Sequence, residues 1–220
     1  MTAISHGAGG PELEMARARA GLYGLASRVF SDTPTAALLK GMKDPEMLGS
    51  LAVFEAGFDE EFLAGDEEAQ AEELAVEYAR LFLATGEHIA PYESVFIRGW
   101  SEEKPQLWGE ATVVVAKFYE EAGLELKSAQ TPDHLGLELE AMAVLAECEA
   151  VRRGSGDVPG AGELEELQRR FCQEHLVKWV PEICEAVQRR TTSSFYRGIA
   201  ALTASLVRLH CGGAELIDER

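Results

Sequence analysis

The stretch TPDHLGLEL, residues 131–139, indicates the fold of this chain most clearly. Thr131 is a favourable N-cap, Pro132 suits the first helical position, and Asp133 suits the first turn, where its charge meets the positive end of the helix dipole. Apolar residues then recur at helical spacing, at Leu135, Leu139, Met142 and Ala146. The stretch therefore predicts the start of a long helix with one buried face.

Helical spacing recurs along most of the chain, and alternation of apolar and polar residues persists nowhere. We therefore predict an all-α fold: a single globular domain of about nine to ten helices, with two closely packed helical halves as the alternative. The domain is expected over residues 11–212, between a disordered tail at 1–10 and a second tail at 213–220. A hinge is expected near 127–131.

Three segments of the sequence predict places where one helix ends before the next begins. Gly and Ser residues at 154–162 indicate a flexible connector. The sequence Trp179-Val180-Pro181 indicates a break between two helices. Gly86, Pro91 and Pro105 punctuate a long irregular segment over 86–106, and a segment of that length inside a compact domain is usually functional or disordered. The aromatic residues of this segment favour a functional role over disorder.

The centre of that segment is APYESVF, residues 90–96. Pro91 fixes its backbone dihedral, so Tyr92, Glu93 and Ser94 would be presented on stiff backbone. An aromatic ring, an acid and a hydroxyl held in this way suit a binding surface. A simple turn, in which Ser94 bonds nearby backbone, is the alternative. Trp100 is the best candidate for an exposed aromatic anchor.

The charge of the chain restricts its partners. It carries 38 Asp and Glu against 20 Lys and Arg, a formal net charge of −18. Such a surface repels phosphate backbones and anionic membranes, so nucleic acid is not an expected partner. A cationic partner is favoured, because long-range attraction raises its rate of encounter. Solubility alone is the simpler explanation.

The four cysteines, Cys148, Cys172, Cys184 and Cys211, show no close pairing, and we expect reduced, mostly buried thiols in a cytosolic protein. Cys172 and His175 are too few to bind zinc. His175, on an apolar helical face, is interpreted as a core or capping histidine. The N-terminus has no apolar signal segment, and no run is long enough to span a bilayer.

Catalytic interpretations are weak. Asp133 and His134 are adjacent on a helix and would not face each other. Glu138, one turn on, could pair with His134 as a dyad or as two metal ligands, but no third ligand has a defined spacing. Capping and hydrogen bonding are the favoured roles. No phosphate-binding loop, metalloprotease motif, nucleophile elbow or dinucleotide fingerprint is present. Neither a cofactor nor a metal is expected.

Taken in order, three segments resemble the TorD/DmsD family of redox-enzyme maturation chaperones: EYARLF at 77–82, PYESV at 91–95, and PDHL at 132–135 with Glu138-Leu139. A further set resembles that family's closing helices, namely Phe171, His175, Leu176, Trp179, Pro181, Phe195 and Tyr196. The family loop often begins with two prolines, whereas here Ala90 precedes Pro91.

The resemblance implies a cytoplasmic, non-catalytic chaperone. Such proteins bind the twin-arginine signal peptide and the apo form of a molybdopterin-containing oxidoreductase, assist cofactor insertion and prevent premature export. A monomer is favoured, with a segment-swapped dimer as the alternative, and no stable membrane insertion is expected. A small nucleotide hydrolase and a general helical adaptor are the competing functions.

The resemblance also implies a signature surface made of Tyr92, Glu93, Ser94, Asp133, His134 and Glu138. Our hypothesis is that Glu93, Asp133 or Glu138 faces the arginines of the signal, where charge-assisted bonds are strongest. The alternative is that these acids only cap and brace helix starts. The recognition hypothesis requires Tyr92 and His134 to lie close together in space.

Overall fold

In the computed structural model, the regular secondary structure of the described residues consists of helices, with no β-strand among them. The described residues are 10–54, 56–84, 86, 88–97 and 109–212. Their helices are α1 (Pro11–Ser31), α2 (Ala36–Met42), α3 (Pro45–Ala52), α4 (Glu60–Ala64), α5 (Glu67–Tyr78), α6 (Glu93–Phe96), α7 (Glu110–Glu121), α8 (Leu135–Ser155), α9 (Val158–Phe171), α10 (Val177–Arg190) and α11 (Ser194–Gly212). Two π-helical turns follow α5 and α9, at Ala79–Leu83 and Cys172–Leu176. The predicted all-α fold is confirmed.

The longest two helices, α1 and α8, run antiparallel against each other. The hydroxyl of Ser27, near the end of α1, donates to the carbonyl of Gly136 at the start of α8, at 2.8 Å. At the other end, Arg153 near the end of α8 reaches Glu12 at the start of α1. A Cβ built on Gly24 would lie only 3.8 Å from Cβ of Ala143, so the two backbones approach closely there.

One main hydrophobic core draws buried side chains from the beginning and the end of the chain. Its largest fully buried members are Trp179, Tyr23, Tyr196, Phe30, Phe171 and Phe195. The ring of Phe82 contacts both Phe30 and Tyr196, with centroids 6.0 and 6.4 Å apart. Because helices from α1 to α11 share this core, the described part of the chain packs as one unit and not as two halves.

The predicted flexible connector at 154–162 is wrong. Helix α8 continues to Ser155, and α9 begins at Val158. Gly156 ends α8 with a left-handed φ of 81°, a conformation that glycine adopts without strain. Asp157 then caps α9, accepting the amide of Gly160 at 3.1 Å. The residues that suggested flexibility therefore end one helix and start the next.

The predicted break at Pro181 is also wrong. Helix α9 passes through the π-helical turn Cys172–Leu176 directly into α10, which contains Pro181. Proline removes one backbone donor and crowds the carbonyl four residues earlier. The π-helical turn has already shifted the hydrogen-bonding register just before α10. If α9 and α10 are counted as one continuous helix, the described residues contain ten helices. This number agrees with the predicted nine to ten.

The expectation of four reduced cysteines is corrected. Cys172, in the second π-helical turn, and Cys211, near the end of α11, form a disulfide with Cα atoms 5.6 Å apart. Cys184 is free and buried, and Cys148 is free and exposed. The bonded residues are separated by 39 positions, so they come together only through the packing of the π-helical turn against α11.

Some predictions fall outside the described residues: the tails at 1–9 and 213–220, and Trp100. Helix α7 is described from Glu110, and α6 lies within the segment that was expected to be irregular. Within the described ranges, none of the helices has both the length and the apolar character needed to span a bilayer.

We predict that Gly198→Ala lowers the free energy of unfolding by about 1 to 3 kcal/mol, because it overpacks the contact between α11 and the segment before α4. A Cβ on Gly198 would lie 2.7 Å from Cε1 of Phe58 and 3.2 Å from the carbonyl oxygen of Gly57. Urea denaturation measures the change. The control is Gly21→Ala in α1, where a Cβ meets nothing within 4 Å; it should add about 0.5 to 1 kcal/mol. Equal effects of the two substitutions would contradict this packing.

Candidate functional site

The two segments singled out in the sequence meet in the structure. Tyr92 and His134 form an isolated antiparallel bridge. The amide of Glu93 donates to the carbonyl of Asp133, and the amide of Leu135 donates to the carbonyl of Pro91, both at 2.9 Å. The rings of Tyr92 and His134 pack edge to face, with centroids 5.1 Å apart. The loop before α6 is thereby fixed to the start of α8.

Helix α8 starts three residues later than the sequence predicted. His134, not Thr131, is its N-cap, and its Nδ1 accepts the amide of Gly136 at 3.1 Å. Residues 131–134 form a turn closed by the amide of His134 and the carbonyl of Thr131, at 3.0 Å. The reason is the bridge, which needs extended backbone at His134 (φ −75°, ψ 133°).

Asp133 has a different role from the predicted one. Its Oδ2 accepts the amide of Ser94 at 3.1 Å, so it braces the start of α6 and not the first turn of α8. Its side chain is fully buried. This bracing was the alternative role considered for the acids. The Asp133 side chain thus connects the two segments in addition to the backbone hydrogen bonds of the bridge.

His134 is held neutral by its surroundings. Burial lowers its pKa to about 4, while the nearby Asp133 carboxylate acts in the opposite direction. Nδ1 accepts a hydrogen bond, which is consistent with a neutral ring that carries its proton on Nε2. The Tyr92 hydroxyl donates to Oε1 of Gln130 at 2.9 Å. Burial and then Asp133 raise the pKa of Tyr92.

Glu93 pairs with a residue that sequence reasoning did not connect to the site. Nδ1 of His175 lies 2.9 Å from Oε2 and 3.2 Å from Oε1 of Glu93, and both side chains are only 3% exposed. His175 comes from the second π-helical turn, 82 positions away. In the sequence, His175 is recognisable only as one histidine on an apolar helical face. That pattern does not reveal that its partner is Glu93.

Glu138 lies behind this pair and is kept protonated. Oε2 accepts the indole N–H of Trp179 at 3.1 Å. Burial raises the pKa of Glu138 well above its ordinary value, and the neighbouring Glu93 carboxylate raises it further. Oε1 has no other hydrogen-bond donor among the described residues. With Glu138 protonated, two buried acids lie together with less charge than two carboxylates would carry.

Tyr119 of α7 completes the enclosure and was also missed. Its hydroxyl donates to the carbonyl of Pro132 at 3.0 Å, which ties α7 to the turn before α8. Burial, followed by Glu138 and Asp133, raises its pKa well above the ordinary value. Its ring packs near Phe171, with centroids 6.0 Å apart. A tyrosine on a helix that packs against the core is usually interpreted as a core residue. That interpretation does not reveal that its hydroxyl bonds to a distant backbone carbonyl.

The exposures of the predicted site residues divide them into two groups. Glu93 and His134 are almost completely buried, and Asp133 and Glu138 are completely buried. Tyr92 and Ser94 are partly exposed. In this conformation the three acids therefore do not face a partner. Among the described residues, no group of three or more His, Cys, Asp or Glu side chains is arranged to hold a metal ion.

We predict that Glu138→Gln raises the free energy of unfolding at pH 8, because the amide replaces an acid that the fold keeps protonated. The folded pKa of Glu138 is raised above its unfolded value of about 4.3. Its favourable contribution is therefore complete below about pH 4.3 and is lost as pH rises toward the folded pKa. Denaturation at pH 4 and pH 8 should give a gain only at pH 8. A loss of stability at pH 8 would contradict a protonated Glu138.

We predict that His134→Asn flattens the acid dependence of stability. The folded pKa is about 4 and the ordinary value is 6.5. The stability that neutral His134 contributes is therefore complete above pH 6.5 and falls by up to about 1.4 kcal/mol per pH unit as pH drops from 6.5 to 4. Asparagine keeps a capping acceptor without titrating there. Identical slopes for the variant and the wild type would contradict a buried neutral ring.

Comparison with known proteins places the chain in a family. The family model described as nitrate reductase delta subunit matches residues 49–185. Two relatives named chaperone protein TorD, from Vibrio atlanticus (strain LGP32) and Vibrio parahaemolyticus serotype O3:K6 (strain RIMD 2210633), are each 29% identical. Their alignments cover 65% and 62% of this chain, and 64% and 62% of the relatives. This chain thus spans less than two thirds of their length.

A solved structure of a candidate redox enzyme maturation protein from Archaeoglobus fulgidus is 20% identical, with a TM-score of 0.43 over 90% of this chain and 93% of that one. The family model covers more than half of the chain, including both segments of the site. The resemblance to the TorD/DmsD chaperones that the sequence suggested is confirmed, and the chain belongs to the nitrate reductase delta subunit family.

Proposed function

We propose that this protein is a cytoplasmic, non-catalytic chaperone of redox-enzyme maturation. It binds the twin-arginine signal peptide and the apo form of a molybdopterin-containing oxidoreductase until the cofactor is inserted, and it delays export. The observation that carries the proposal is the family match over residues 49–185. That range contains the bridged pair Tyr92 and His134, which forms the centre of the candidate surface.

The rigidity of the loop supports a role in binding. The loop from Pro91 to Phe96 is held by two backbone bonds, by Asp133 and by the Glu93–His175 pair. A surface that is ordered before its partner arrives loses less conformational entropy on binding. Tyr92 is partly exposed at the edge of this loop and presents an aromatic ring with a hydroxyl. Rings of this kind are common anchors in protein interfaces.

The buried acids take a positioning role in this proposal. Contact between Glu93, Asp133 or Glu138 and the arginines of a signal would require the loop to leave the start of α8. We therefore assign partner contact to Tyr92, because the hydroxyl oxygen of Ser94 is itself buried. We assign to the three acids the task of holding that loop. Trp100 stays a candidate contact of the same surface.

The charge of the chain favours the same partner. A twin-arginine signal is basic at its start and apolar afterwards. A formal net charge of −18 attracts the basic part over a distance comparable with the Debye length, about 8 Å at physiological salt. The apolar part would bind as a helix in a groove between helices. Association should therefore slow as salt is added.

We predict that Tyr92→Ala weakens binding of the signal peptide by at least about tenfold, or 1.4 kcal/mol. The probe is a synthetic twin-arginine leader peptide of a molybdopterin oxidoreductase, titrated by calorimetry. Tyr92→Phe should bind nearly as well, because it keeps the ring. Val53→Ala is the control, since Val53 is 73% exposed and follows α3, outside the two segments of the site.

Two outcomes would overturn the proposal. One is full-strength binding by a folded Tyr92→Ala variant, which would move the contact to another surface. The other is equal affinity for the natural leader and for a leader in which both arginines are glutamine. Circular dichroism and urea denaturation of each variant separate a lost contact from a lost fold.

A further inference from the structure

We propose that the Cys172–Cys211 pair is a reversible thiol–disulfide site, reduced by a dithiol, whose state sets how firmly the end of α11 and the second π-helical turn are anchored. The inference goes beyond the proposed function and rests on it in one respect, the reducing compartment in which a cytoplasmic protein works. It begins from the disulfide that joins these two elements, with Cα atoms 5.6 Å apart. Disulfides of proteins in reducing compartments are usually transient, redox-sensing or catalytic.

The two sulfurs differ in access. Cys172 is completely buried, whereas Cys211 is partly exposed one residue before the end of α11. An attacking thiolate therefore reaches the sulfur of Cys211. A bond forms between that sulfur and the reductant, the Cys172–Cys211 bond breaks, and Cys172 leaves as a thiolate that takes up a proton.

The second thiol of the reductant completes the exchange. Its thiolate attacks the reductant sulfur of the mixed disulfide, and Cys211 leaves and is protonated. Two electrons and two protons pass from the dithiol to the pair, and the reductant ends as a disulfide. Oxidation of the protein by a disulfide-bonded partner of the same class is the reverse sequence.

The remaining cysteines do not compete for this chemistry. Cys184 is buried, and burial raises the pKa of its thiol to about 12, with a weaker opposing hydrogen bond from Ala204. It therefore supplies almost no thiolate at neutral pH. Cys148 is exposed, but it is a free thiol and lies on α8. Reduction by a dithiol is therefore assigned to Cys172 and Cys211, which are the bonded pair among the four cysteines.

One end of the pair lies beside the candidate site. Cys172 opens the π-helical turn that also holds His175, the partner of Glu93. Phe171, directly before Cys172, packs its ring against His175, with centroids 4.8 Å apart. Loss of the covalent bond therefore loosens the turn that positions His175 against the loop.

The other end holds the last turn of α11. His210, adjacent to Cys211, shares a hydrogen bond of 2.9 Å with the hydroxyl of Tyr23 in α1. Burial lowers the pKa of His210 to about 4, so its neutral ring can keep this contact at physiological pH. After reduction this hydrogen bond still connects the end of α11 to α1, but the covalent connection to the π-helical turn is gone.

The test compares the full chain before and after treatment with dithiothreitol, followed by its removal. Thiol titration in denaturant should give two thiols before reduction and four afterwards, as the four cysteines require. Hydrogen exchange should become at least about tenfold faster in residues 205–212 and 172–178 after reduction. Oxidised glutathione should restore the slow exchange.

Matched variants make the assignment specific. Cys211→Ser should exchange like the reduced chain and should not respond to dithiothreitol. Cys148→Ser should respond as the wild type does. Four titratable thiols in the untreated chain would overturn the proposal, as would equal exchange in both redox states. Signal-peptide titration of the untreated chain tests the proposed function separately, so failure of one does not imply failure of the other.

Discussion

The backbone pairing between Tyr92 and His134 is the constraint on which the candidate site depends. Two hydrogen bonds join the segments, and each needs a residue of the other segment. With that pairing in place, the loop covers Glu93, Asp133 and Glu138 and excludes water from them. Without it, His134 has no reason to leave the helix, and α8 would begin at Thr131 as the local signals favour.

The same pairing explains how an unusual group of buried acids is tolerated. Asp133 accepts a backbone amide, Glu93 lies against His175, and Glu138 keeps its proton. Buried charges without such partners cost several kcal/mol each. Glu149 shows the other solution in this molecule: Arg19, Arg153 and Gln168 all donate to it, and these bonds lower its pKa against the opposing effect of burial.

The sequence predicted the helical class, the family and the meeting of the two segments, because apolar spacing and motif order are local properties. It misplaced the start of α8, since Thr131 is a good N-cap and nothing nearby reveals a distant strand-like partner. It took the glycines near Gly156 for a flexible connector, although Gly156 and Asp157 serve as caps. The roles of His175 and Tyr119 depend on contacts many residues away, which spacing does not encode.

The most direct test of this account is residue-resolved hydrogen exchange of the amides of Glu93 and Leu135, the two donors of the bridge. If the pairing holds the site, both amides should exchange only through the opening that also exposes the core of α8, with the same free energy. Rapid exchange of either amide, while the α8 amides stay protected, would show that the loop leaves the helix start on its own and would contradict the account.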